Sequence, residues 1–66
     1  MNNKIRVARA EVRMTQQQLA DAAGVSRQTI NAIESGKFVP STVLALKMAK
    51  ILSTPVEEIF QLEDED

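Results

Sequence analysis

Apolar positions recur along this chain at three- and four-residue spacing, and each run is bounded by residues that start or stop helices. Ile5, Ala8 and Val12 form one stripe of a first helix running to about Arg13, with Asn2 or Asn3 as its cap. Thr15-Gln16-Gln17-Gln18 matches the T-x-x-Q capping box and opens a second helix with a small apolar face of Leu19, Ala22 and Ala23. Gly24 ends it, because glycine takes the left-handed conformation of a helix C-terminus at little cost. Val25 fills the turn and Ser26 caps a third helix, whose buried face is Ile30 and Ile33 and whose end is Gly36. After a loop over residues 37–40, Ser41 caps a fourth helix reaching about Leu52, with Leu44, Ala45, Met48, Ala49 and Leu52 at core spacing. Thr54-Pro55-Val56-Glu57 reads as a second capping box, with proline at the first helical position, where its missing N–H costs nothing. It opens a brief fifth helix with Val56, Ile59 and Phe60 as its apolar residues. No run alternates as a strand would, so the expected fold is all-α: a compact five-helix bundle.

Length and charge add constraints that the pattern does not carry. Sixty-six residues allow one domain with a marginal core, for which oligomerisation is a natural support. Cysteine and histidine are both absent, which excludes disulfide staples, Cys/His zinc sites and thiol or imidazole catalysis. No cofactor, metal or small-molecule ligand is expected. No apolar run approaches the ~20 residues of a spanning helix, so the reading is a soluble, cytoplasmic chain without a membrane partner. The net charge of −1 hides an asymmetry. Residues 1–56 hold eight basic residues against three acidic ones, a net +5, whereas residues 57–66 hold six acidic residues and no basic one. The body can face an anion and the tail cannot. The division expected is a domain over residues 1–62 and an acidic tail over 63–66, the like-charge run Glu63-Asp64-Glu65-Asp66 fraying into solvent.

The spacing around Gly24 has a steric logic of its own. Two helices that cross steeply through a tight turn need a left-handed residue in the turn and a small side chain where their axes come closest. Bulky aliphatics on the second helix then lock it onto the first. Gly24, Ala20, Val25, Ile30 and Ile33 supply these in register, which is a helix-turn-helix arrangement at helices 2 and 3. The match extends over Thr15-Gln16, Leu19-Ala20, Gly24-Val25-Ser26, Ile30, Ile33-Glu34-Ser35-Gly36-Lys37, Pro40-Ser41, Ala45, Met48-Ala49, Leu52 and Pro55-Val56-Glu57-Glu58-Ile59-Phe60. In these residues the chain resembles the Cro/C1-type (Xre) helix-turn-helix family of phage-repressor-like DNA-binding domains, over about residues 3–62.

The resemblance implies sequence-specific binding to double-stranded DNA, commonly by a symmetric homodimer, with the third helix in the major groove. Base contacts then fall to Ser26, Arg27, Gln28, Thr29 and Ala32. With Ile30 and Ile33 inward, Gln28 and Ala32 turn outward. Arginine can grip guanine O6 and N7, glutamine can pair with adenine N6 and N7, and an alanine methyl can meet thymine. Thr29 and Asn31 serve equally well as solvated positions. Phosphate contacts need only donors and positive charge, and Gln16, Arg13, Ser35, Lys37 and Ser41 are placed for them. The family pairs an arginine of the first helix with a glutamate late in the third, positions held here by Arg9 and Glu34. The fourth helix carries apolar residues outside its core stripe, and Val43, Leu46, Ile59, Phe60 and Leu62 are the expected dimer interface. The function so read is a transcriptional regulator, a repressor, and not an enzyme. The competing reading is a protein-interaction module that keeps the fold without specific DNA binding. Arg27, Gln28 and Lys37 favour the first, since a non-binding relative has no use for them.

Overall fold

Backbone signals written locally in the chain set most of its architecture, which the computed structural model describes over residues 1–66. Five helices follow in order: α1 (Ile5–Glu11), α2 (Gln16–Ala23), α3 (Arg27–Glu34), α4 (Thr42–Ile51) and α5 (Val56–Ile59). Three of the five predicted side-chain caps form. The Thr15 hydroxyl accepts from the Gln18 N–H while Gln18 returns a bond to the Thr15 N–H, completing the capping box of α2. Ser26 accepts from the Thr29 N–H and Ser41 from the Leu44 N–H, opening α3 and α4. Gly24 (φ +76°) and Gly36 (φ +80°) both stand in the left-handed region, one between α2 and α3 and the other after α3.

The five-helix bundle stands as expected, and several local expectations need correction. The chain is not wholly helical: β1 (Asn2–Asn3) and β2 (Phe60–Gln61) pair antiparallel, Asn2 with Gln61 and Asn3 with Phe60. Asn3 therefore does not cap α1, which starts after Lys4 without a side-chain cap. Its amide instead donates to the Ile33 carbonyl (2.8 Å) and its oxygen accepts from the Ile5 N–H, tying the strand to the end of α3. Helix α1 stops at Glu11, so Val12 leaves the stripe and is exposed, as is Ala22 on α2. The second capping box is absent: Pro55 itself is the N-cap of α5, and the Thr54 hydroxyl turns back to donate to the Leu52 carbonyl. Residues 63–66 form a turn rather than a frayed end, with Asp66 accepting from the Glu63 N–H and both acids reaching the Met1 ammonium.

The core gathers one to three residues from every helix. Ile5, Leu19, Ala20, Ile30, Ile33, Met48, Leu52 and Ile59 are essentially inaccessible, with Val25, Leu44 and Phe60 partly buried around them. Ala20 is fully buried on α2, which packs against both α3 and α4, while α4 in turn carries α5. Ile59 was expected at a dimer face and belongs to this core instead: it has no exposed surface to offer a partner.

Candidate nucleic-acid interface

The turn at Gly24 sends α3 off with its first residues at the surface. Arg27 and Gln28 are exposed, Ile30 and Ile33 behind them are buried, and neither Arg27 nor Gln28 has a side-chain partner within the chain. Unpaired donors on a fixed helix are what a major-groove reader requires. Ser26 and Thr29 share a hydrogen bond between their hydroxyls (3.0 Å) beside the cap, which leaves one of the two protons free to donate outward. Thr29 and Ala32 are half-buried and present only part of their surface.

The donors expected around α3 fall into two groups. Arg13 and Lys37 are exposed and form no ion pair, so their charge is available. Arg13 also holds φ 55°, a left-handed conformation that costs a non-glycine residue about 1 kcal/mol. The Ser35 hydroxyl is engaged with the Ala32 carbonyl (3.1 Å), and Ser41 accepts at its cap while keeping its own proton. The Gln16 side-chain amide nitrogen is committed inside the protein, to Glu34 (3.2 Å) and Asn31 (3.3 Å). Its backbone N–H, in the first turn of α2, is the group left to face an anion.

Arg9 and Glu34 meet as the resemblance implies. Arg9 donates through Nε (2.7 Å) and Nη2 (3.2 Å) to the two oxygens of Glu34, and through Nη1 to the Met14 carbonyl. The Glu34 side chain is 2% exposed, so this pair lies under the surface and fixes α1 to the end of α3. Two participants escaped the sequence reading. Arg6 lies 3.6 Å from Glu34, three residues before Arg9 on the same helical face, a spacing that was open to view. Asn31 joins through Gln16, a link that depends on the packing of α2 against α3.

Fold and surface together define a helix-turn-helix DNA-binding domain. The chain belongs to the Cro/C1-type helix-turn-helix family of transcriptional regulators: the Helix-turn-helix family model matches residues 5–59. The family is one of DNA-binding proteins rather than enzymes. The chain is 46% identical to the uncharacterized HTH-type transcriptional regulator YgzD of Bacillus subtilis (strain 168), over the full length of both. It is 50% identical, again over both full lengths, to an uncharacterized HTH-type transcriptional regulator of Methanocaldococcus jannaschii. Among solved structures it is similar to the restriction-modification controller protein C.AhdI of Aeromonas hydrophila, with a TM-score of 0.77, 30% identity and 85% of each chain covered. No helix is long and apolar enough to cross a membrane.

Proposed function

We propose that this protein is a sequence-specific repressor, working in the cytoplasm, that binds a two-fold operator as a homodimer with α3 of each copy in the major groove. The observation that carries this reading is the pair Arg27 and Gln28, exposed and unpartnered in the first turn of a helix whose opposite face is locked into the core. Arg27 reads guanine and Gln28 reads adenine, with Ser26, Thr29 and the Ala32 methyl completing the surface. Arg13, Lys37, Ser35, Ser41 and the Gln16 backbone N–H take phosphates and set the register.

A second copy is supported by the apolar face at the far side of α4. Val43 and Leu46 are 64% and 54% exposed, and a groove of about 300 Å³ beside them is lined by Met1, Val39, Pro40, Ala45, Val56 and Phe60 among others. Two such faces related by a two-fold axis cover each other and give paired half-sites about one helical turn, ~34 Å, apart. Occupancy of that stretch excludes other proteins from it, which is repression. The test is selection from a random double-stranded library, followed by a promoter reporter carrying the selected site. Enrichment of inverted half-sites and lowered transcription are expected; no enrichment, or raised transcription, rejects the reading.

A further inference from the structure

The polar network under α3 continues past the Arg9–Glu34 pair to the surface, and its chemistry is directional. A carboxylate can only accept hydrogen bonds. The Gln16 amide must therefore turn its nitrogen toward Glu34 Oε1, 3.2 Å away. The same nitrogen lies 3.3 Å from Asn31 Oδ1, so both of its protons are committed and Asn31 has to give Gln16 its oxygen. What Asn31 keeps is its –NH₂ group, which has no partner within the chain and stands at an exposed position. Asn31 lies one turn beyond Arg27 on α3, on the same face.

Resting on the DNA-reading surface proposed above, we propose that Asn31 is a specificity-determining residue that reads a base as a hydrogen-bond donor. Gln16 is the positioning residue that fixes it in that sense. The acceptors that a donor can meet in the major groove are N7 and O6 of guanine, O4 of thymine and N7 of adenine, the last with the N6 amino donor beside it. Adenine is disfavoured, because the bidentate asparagine–adenine pair requires Oδ1 to accept from the N6 amino group, and Gln16 holds that oxygen. Gln16 acts on DNA through Asn31 and not by donating its own amide protons to a phosphate.

The experiment uses the duplex that the wild-type protein selects from a random double-stranded library, together with every single base-pair variant of it. Dissociation constants are measured for wild type, Asn31→Ala, Asn31→Asp, Gln16→Ala, Arg27→Ala and the double variant Gln16→Ala/Asn31→Ala, each shown by circular dichroism to be folded. Asn31→Ala is expected to flatten the preference at one base pair per half-site, where wild type requires guanine or thymine, by about fivefold or more. Asn31→Asp, which keeps an oxygen for Gln16 but offers no donor, loses that preference as well. Gln16→Ala flattens the same position, and the double variant is no worse than Asn31→Ala alone, since coupled residues are not additive. The inference is overturned if Gln16→Ala weakens every duplex evenly and adds to Asn31→Ala, which marks Gln16 as a direct phosphate contact. It is also overturned if Asn31→Ala leaves all base preferences intact while Arg27→Ala removes one, an outcome that spares the DNA-reading surface itself. A wild type that selects no sequence at all overturns both.

Discussion

Arg13 occupies a backbone position that suits glycine, at φ 55°, yet carries a long charged side chain without a partner. Strain of that kind is kept where the side chain serves a purpose. Arg13→Gly relieves about 1 kcal/mol of backbone strain and adds a similar flexibility to the unfolded chain, so stability in urea changes by less than about 1 kcal/mol. DNA affinity falls evenly across sequences, and the slope of log K against log salt drops by about 1. A specific loss at one base pair contradicts the phosphate role. Arg9→Ala behaves oppositely. It leaves the Glu34 carboxylate, 2% exposed, with only Gln16 and the more distant Arg6, and destabilises the fold by about 3 kcal/mol in a urea titration. The ion pair was legible because the family resemblance names both positions. Asn31 was left open because a lone polar residue on an exposed helix face carries no sign of what the neighbouring helix brings to it.

Helix starts were legible wherever the signal is local. Thr15, Ser26 and Ser41 cap their helices through bonds that span three residues, so sequence spacing alone contains them. Thr15→Ala removes the hydroxyl half of the capping box and is expected to cost about 1 kcal/mol, read as a lower urea midpoint with an unchanged m-value. An unchanged midpoint means that α2 is held by packing alone. Thr54 carries the same apparent signal and fails, because its hydroxyl satisfies the Leu52 carbonyl at the end of α4 and Pro55 takes the cap position. Alternation in a four-residue helix also cannot sort Ile59 from Phe60: the first is core and the second lines the apolar groove.

The whole molecule shows what local reading misses, since β1 and β2 pair residues from opposite ends of the chain. That pairing brings the Met1 ammonium to Asp66 (3.0 Å) and Glu63 (3.4 Å), turning a supposed loose tail into a clasp. The ammonium is raised above its ordinary 8.0, first by the hydrogen bond it donates to Asp66, and Asp66 is lowered below its ordinary 3.8, first by the bond donated from the Glu63 backbone N–H and then by the ammonium. A raised ammonium contributes fully below its ordinary value and is lost as pH rises through its folded one. A lowered carboxylate contributes fully above its ordinary value and is lost as pH falls. The clasp is therefore closed between about pH 4 and pH 8 and opens on either side, which NMR shifts of Asn2, Gln61 and Asp66 would follow; shifts independent of pH refute it. For the proposed homodimer, Leu46→Glu, at a 54% exposed site, is expected to leave thermal stability of the monomer within about 0.5 kcal/mol and to abolish association in sedimentation. A dimer that survives it places the interface elsewhere.

The central claim is that α3 reads sequence while the charges around it only position the DNA. Affinities for the selected duplex and for a scrambled duplex of equal length, measured for wild type, Arg27→Ala/Gln28→Ala and Lys37→Ala, test it most directly. The double variant should bind both duplexes weakly and lose most of the preference between them, keeping only the part that Asn31 carries. Lys37→Ala should weaken both alike, keep their ratio and lower the salt slope by about 1. A double variant that still prefers the selected duplex as strongly as wild type contradicts the claim.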